Sequence, residues 1–359
     1  MDMKRRIITG LVAGATAAVT LALPAQAAVP KAEVVFSSST YLTSDFSVHG
    51  RNLAVLACTT VTEVRADGSA GALPWPGCSA RVESDGGGVA YSRDGAAIAK
   101  TMTVRQIPTQ PTTSSLVVAR TDQPESRVDV SAREYAGNPD GRARYGTTST
   151  KSCVVQGLGS DASYTGRLDS AVPAVAAGPS GSWYVADRDG NTVYRVSRAG
   201  KVSVLAVLPP VTVTVSNALA AAANWPSCVV GTKVAFEAAP TEVEVGSDGT
   251  VYVAGEPRLA SGVSAGTSVI YAIRPASGKV VRLAQRYAGQ VDLAPGTKGR
   301  LFVARPEAGR ISVIRNGRSQ THLRLPRVLA VETDDRGRLY AVRGAGASAT
   351  DPASVVRIS

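Results

Sequence analysis

From about residue 172 onward one short pattern recurs four times, a Gly-bearing turn followed by a run of the type apolar-aromatic-Val-Ala. The copies are Ser180-Gly181-Ser182-Trp183-Tyr184-Val185-Ala186, Asp248-Gly249-Thr250-Val251-Tyr252-Val253-Ala254, Lys298-Gly299-Arg300-Leu301-Phe302-Val303-Ala304 and Arg336-Gly337-Arg338-Leu339-Tyr340-Ala341-Val342. Alternating apolar residues precede each turn, as in Val243 and Val245, Val291 and Leu293, or Leu329 and Val331. A third strand-like run follows, as in Thr192–Val196, Ser268–Ile273, Arg310–Ile314 and Ser354–Ile358, and Val202–Leu205 reads as a fourth. Asn316-Gly317, between two such runs, is a strong hairpin signal, because both central residues of a type I′ turn need φ > 0. No long segment after residue 30 has a 3.6-residue apolar period, so an α/β reading has little support. Tandem four-strand units of this kind predict an all-β, six-bladed β-propeller of the NHL type.

Four blades are the clear copies. Two more are expected from the earlier part of the chain, where Asn52–Leu56 and Gly88–Ala99 are worn versions of the pattern. A strand near Ala32–Phe36 would complete the last blade and close the ring, removing sheet edges that invite aggregation. The expected organisation is a leader over residues 1–27 and a single propeller domain over 28–359, with degenerate blades in 28–150 and clear repeats in 151–359.

The leader has the form of a secretory signal. Lys4, Arg5 and Arg6 precede the apolar stretch Ile7–Leu23, and Ala25-Gln26-Ala27 is a small-x-small cleavage site. Its loss removes three basic residues and one acidic one, taking the net charge from +11 to about +9. No later segment is apolar enough to span a bilayer. The four cysteines, Cys58, Cys78, Cys153 and Cys228, suit an exported chain with two disulfides; three connectivities are possible, and sequence proximity favours Cys58–Cys78 with Cys153–Cys228. With no CxxC and no His near any Cys in sequence, a metal or catalytic role for them is disfavoured. The basic residues are scattered, mostly Arg at turns and strand ends, and no run is interleaved with aromatics. That disfavours nucleic acid as a partner.

Histidine is scarce. His322 is expected to face solvent on an outer strand and His49 lies near a loop, too little for a Ser-His-Asp triad or a histidine metal site. Acids carry more information. Aligning the repeats puts Glu244, Asp292 and Glu332 at one position on the strand that lines a propeller's axis, where they either pair with Arg on the neighbouring blade or hold a hard cation such as Ca²⁺. Asp187, Asp189 and Asn191 form a fragment of a calcium-type loop without its terminal Glu, equally explained by a type I′ turn over Asp189-Gly190-Asn191. Glu256 is a further loop acid. Trp75 and Trp225 each precede Pro in a Cys-containing loop and are expected to cap disulfide-pinned lids.

Beyond these readings, roughly two-thirds of the chain resembles the ScyD/ScyE family of exported bacterial proteins, named for a pair encoded with scytonemin biosynthesis genes. The residues that carry the resemblance are Glu134–Gly141 (EYAGNPDG), Ser152–Gly166, Gly190–Val196, Cys228–Gly231 and Pro240–Gly246. Where the family has Asp-Ser-Asn-Pro-Tyr, this chain reads Asp169-Ser170-Ala171-Val172-Pro173 and lacks the Asn and Tyr. The resemblance implies an exported NHL-type propeller and little specific chemistry. The expected function is non-enzymatic binding of a small-molecule ligand or protein partner at the central mouth, by a monomer without a cofactor. One alternative is a metal-dependent hydrolase of the gluconolactonase type using Glu244, Asn191 and Asp292. Another is an extracytoplasmic oxidoreductase acting on aromatic substrates, for which no cofactor motif is present.

Overall fold

A computed structural model describes residues 30–38, 45–57, 60–73, 87–105, 112–120, 123–345 and 352–359. The leader, Trp75 and the expected Cys58–Cys78 pair lie outside these residues. The chain is all-β in character, with seven four-stranded antiparallel sheets, three short α-helices and four single-turn helices among the described residues.

Six of the sheets follow one another along the chain. Sheet I runs Phe46–His49, Asn52–Ala57, Thr60–Val64, Ala70–Ala72; sheet II runs Val89–Tyr91, Ala97–Val104, Thr113–Arg120, Gln123–Asp129. Sheet III is Ala174–Ala177, Trp183–Asp187, Thr192–Val196, Val202–Val207, and sheet IV is Pro240–Val245, Val251–Gly255, Thr267–Arg274, Lys279–Ala288. Sheet V is Asp292–Pro295, Leu301–Arg305, Arg310–Arg315, Arg318–Arg324. Sheet VI takes Val328–Thr333, Leu339–Arg343 and Ala353–Ile358 from the C-terminal part of the chain and Ala32–Ser38 from the N-terminal part, as expected of a closing strand. Ala32 pairs with Ile358 and Ser38 with Ala353 in that closure. The first strand of each sheet packs beside the first strand of the next, and that of sheet VI beside that of sheet I.

The repeated sequence explains this packing. Along the second strand, side chains alternate between the two faces of the sheet. Tyr184, Phe302 and Tyr340 are buried against the following sheet, with Ala186, Ala304 and Val342 on the same face, whereas Val185, Val253 and Val303 are buried against the preceding one. Each junction between successive sheets thus has its own apolar cluster, including the junction of VI with I, where Tyr340 and Val355 meet Phe46 and Val55. Every such large side chain withdrawn from water contributes about 1.5–3 kcal/mol. Just ahead of the first strand of sheet II there is no room for a side chain: a Cβ on Gly88 would stand 2.6 Å from the Cα of Ala174 in the first strand of sheet III. The outer hairpin of sheet V turns at Asn316 and Gly317, with φ of 50° and 72°, the pair of positive values that the Asn-Gly signal predicts.

The seventh sheet is an insertion. Arg144–Thr147 and Ser163–Thr165 precede sheet III, Val211–Thr214 and Lys233–Phe236 follow it, and the four pair together. Arg144–Thr147, in the region read from sequence as degenerate blades, therefore belongs to this insertion. Cys153, in a helix α1 over Ser152–Leu158, is disulfide-bonded to Cys228 in the single-turn helix Ser227–Val229, with the Cα atoms 6.3 Å apart. This is the pairing expected from sequence proximity. Trp225 packs its partly buried ring against the core shared by the insertion and sheets III and IV.

Candidate axial cavity and carboxylate cluster

The ends of all six first strands contribute to one cavity of about 340 Å³. Glu244 and Glu332 line it from sheets IV and VI, Ser47 and His49 from sheet I, Tyr91 from sheet II. The first strand is the edge strand of its own sheet, so part of its backbone lacks a ladder partner. Side chains from adjacent first strands supply acceptors. Ser47 Oγ accepts from the Tyr91 N–H at 3.0 Å, Asp45 accepts from Val89 N–H at 2.6 Å, and Asp292 accepts from Val331 N–H at 2.8 Å.

The acids occupy two rungs. Glu244 is opposite Tyr252 and Glu332 opposite Tyr340 in their sheets. The equivalent residue of sheet V, opposite Phe302, is Ala294, whereas Asp292 is opposite Ala304. Asp292 therefore shares the rung of Glu242, which is opposite Ala254, and of Asp45, whose carbonyl accepts from Leu56 N–H. This corrects the alignment that placed Asp292 level with Glu244 and Glu332. Two residues of strand separate the rungs, about 7 Å along the axis.

These five carboxyls act as one group. Glu244 stands close enough to Glu332, and Asp292 to Glu242, for the charge of the one to raise the other. One oxygen each of Asp45, Glu242 and Asp292 lie within 4.8 Å of one another. Burial pushes Asp45 up to about 7 and Glu244 up to about 8, and holds Glu242, Asp292 and Glu332 well above the usual carboxylate range; the charges of the other acids add to the rise of Glu242, Glu244, Asp292 and Glu332. Where the sequence suggested arginine partners, the acids instead meet backbone N–H groups and each other. Such a cluster can hold protons between paired carboxyls or offer hard oxygen ligands to a cation.

The other candidate residues lie apart from this group. Asp187 is fully buried: its carboxylate accepts from Ser170 Oγ at 2.7 Å and from the N–H groups of Ala171 and Gly190. Asn191 is also fully buried, donating to Asp140 at 2.9 Å and accepting from the Ala239 N–H at 2.9 Å. Only Asn191 of the Asp189-Gly190-Asn191 turn has a positive φ, 49°, so the turn is not type I′. The hydrolase trio Glu244, Asn191 and Asp292 is thus divided, with Asn191 committed to Asp140 and the backbone. Glu256 accepts from Ser264 Oγ at 2.7 Å. His49 stands at the cavity rim with its ring 6.0 Å from that of Tyr91, and His322 is half-buried against Phe302, at 5.0 Å between centroids, rather than facing solvent.

The segment Glu134–Gly141 folds around a buried polar knot. Glu134 accepts from Tyr194 Oη at 2.9 Å, Asp140 from Tyr145 Oη at 3.0 Å, and Asn138 donates to the Gly166 carbonyl. Asp189 gathers Arg105, Arg188 and Arg258 from three parts of the chain. Asp45 and Glu242 were missed in sequence. Glu242 stood two residues from Glu244 on the same face of its strand, and Asp45 stood ahead of a worn repeat.

No protein-family model and no curated protein matches the chain. Among solved structures, it is similar to the PQQ-bound form of aldose sugar dehydrogenase from Streptomyces coelicolor, with 15% identity, a TM-score of 0.52 and coverage of 92% of this chain and 98% of that one. A structural genomics protein of unknown function from Bacteroides thetaiotaomicron has 10% identity and a TM-score of 0.52, covering 92% of this chain and 72% of that one. Virginiamycin B lyase from Staphylococcus aureus has 10% identity and a TM-score of 0.46, covering 92% and 98%. The likeness is one of fold: the chain has the architecture of propeller proteins.

Proposed function

We propose that the chain is an exported six-bladed propeller of the ScyD/ScyE type that binds a small ligand bearing hydroxyl or amine donors in its axial cavity. The observation that carries the reading is that all six first strands contribute to a cavity of about 340 Å³ in which Glu244 and Glu332 offer acceptor oxygens. That size lies at the small end of ligand pockets and suits a small molecule better than a protein segment. Six sheets with cyclic contacts between first strands support the blade count. The Cys153–Cys228 disulfide supports an oxidising compartment. The test is a thermal-shift screen of small polyols and amines against the wild type and Glu332→Gln. Hits whose stabilisation disappears in the variant support the reading, and hits indifferent to both Glu332→Gln and Glu244→Gln refute it.

A second reading has its own observation. The three oxygens of Asp45, Glu242 and Asp292 within 4.8 Å suit a hard divalent cation, which takes carboxylate oxygens. It would screen the repulsion that, after burial, adds to the rise of Glu242 and Asp292, and it keeps open the metal-dependent hydrolase alternative with a different ligand set from Glu244, Asn191 and Asp292. Metal analysis of the purified chain, followed by a Ca²⁺ titration of the wild type and Asp45→Asn, decides it.

A further inference from the structure

Sheet V carries a row of like charges that no carboxylate among the described residues neutralises. Arg305, at the end of the second strand, is directly opposite Arg310 on the third, and Arg310 is directly opposite Arg324 on the fourth. Residues opposed in an antiparallel ladder point to one face, with Cβ atoms about 5 Å apart, and like charges so placed destabilise a sheet. The face is set by the alternation along the strand: Leu301 and Val303, four and two residues before Arg305, pack toward sheet IV. The Arg305 guanidinium accordingly stacks on the ring of Tyr287 from the last strand of sheet IV, 4.7 Å from its centroid.

Among the described residues no carboxylate pairs with these three arginines. Glu307, in the intervening turn, packs its stem over Gly289 instead. The Nε atoms of Arg305 and Arg310 are closed off from solvent and have no acceptor. A buried donor without an acceptor costs about 1–3 kcal/mol, more when charged, and native proteins fill such a gap with a water or an ion. Two guanidinium groups of like charge favour the ion, because an anion satisfies the donors and cancels the repulsion together. Elsewhere the protein does this with its own side chain, as Asp189 does for Arg105, Arg188 and Arg258.

We propose that Arg305 and Arg310, over Tyr287 at the junction of sheets IV and V, form a binding site for a small oxyanion. A tetrahedral or carboxylate-like group matches the forked donors of the two guanidinium groups, with Arg324 at the exposed end of the row. The site is independent of the axial cavity and its acids.

The experiment is isothermal titration of the full-length mature protein with inorganic phosphate, with sulfate as a second tetrahedral oxyanion and chloride at matched ionic strength as the control. Saturable binding of phosphate or sulfate beyond chloride is expected, with a matching rise in Tm. Arg310→Gln keeps the length of the stem and removes the charge. It should weaken the oxyanion at least tenfold and raise the Tm measured without oxyanion. Arg315→Gln, at the far end of the same strand, should leave binding unchanged. The proposal is overturned if phosphate and sulfate behave as chloride does on the wild type, a result that needs no variant to fold. It is equally overturned if Arg310→Gln and Arg305→Gln both bind as tightly as the wild type.

Discussion

Asp45 and Glu242 lie on the lead-in to the first strand of sheet I and on the first strand of sheet IV, three sheets apart along the chain, yet each brings a carboxylate oxygen within 4.8 Å of the other. Side chains this short meet only if the first strands converge on a narrow common space. The same meeting makes the charge of each a problem for the other, which is one reason Glu242 stands so far above the ordinary carboxylate range. Removing one charge should therefore be favourable when the others are ionised. Asp45→Asn keeps an acceptor oxygen for the Val89 N–H and drops the charge. Its Tm is expected to exceed that of the wild type by several degrees at pH 8.5 and to differ little at pH 5.5, where the acids are protonated. If a divalent cation occupies the cluster, the order at pH 8.5 reverses in millimolar Ca²⁺, because the wild type gains from the ion and the variant does not.

The pH dependence of the wild type follows from the same shifts. Burial raises Asp45, Asp187 and Glu237 to about 7 and Glu134 and Glu244 to about 8. A carboxyl raised in the folded state binds its proton more tightly there than in the unfolded chain. Its contribution is fully present below the unfolded value, near 4, and is lost as pH rises through the folded one. Stability should fall between pH 5.5 and 8.5, with a slope of up to about 1.4 kcal/mol per pH unit for each group titrating. Urea unfolding across that range tests this, and a stability that rises toward pH 8.5 without added metal would contradict the burial of these acids.

The fold was legible because its signals are local and repeated. The aromatic-Val-Ala run dictates which side chains face the preceding and following sheets, and Asn316-Gly317 names its own turn. The insertion was not legible, because its four strands come from two segments separated by sheet III, and Tyr145 or Val234 carry no mark of the partner they will find. The axial acids were half legible. Counting back five residues from Gly249, Gly299 and Gly337 reaches Glu244, Ala294 and Glu332, so the misplacement of Asp292 was avoidable from the sequence. The convergence of Asp45 with acids about 200 residues away needs the arrangement of the sheets and has no local signature. Asp187 and Asn191 look like ligands in sequence because turn-forming and metal-binding loops use the same residues, and only their burial separates the two uses.

Asn191 has a structural role that a substitution can isolate. Its side chain links Asp140 to the backbone of Ala239 just ahead of the first strand of sheet IV, and its φ of 49° is one that Asn tolerates better than Ala. Asn191→Ala leaves the buried Ala239 N–H without its acceptor, removes one of the two donors to Asp140, which keeps Tyr145, and adds backbone strain, for an expected loss of about 2–5 kcal/mol. Urea unfolding measures it. Ligand or metal binding by the molecules that remain folded should be unchanged, and a selective loss of binding at full stability would instead make Asn191 part of a site.

The disulfide offers the cleanest separation of structure from function. Cys153 and Cys228 are 75 residues apart, and sheet III lies between them in sequence. Closing a loop of that length restricts the unfolded chain enough to contribute about 4 kcal/mol. The paired helices rest on Val154, Leu158 and Val229, all buried in the core shared with sheets III and IV. Those contacts remain when the bond is removed, so the double variant Cys153→Ser/Cys228→Ser should fold with the same far-ultraviolet spectrum and a much lower Tm. The axial cavity draws no lining residue from the insertion. Ligand affinity at a temperature where the variant is folded should therefore match the wild type, and a loss of affinity there would mean that the insertion, rather than the six first strands, shapes the binding site.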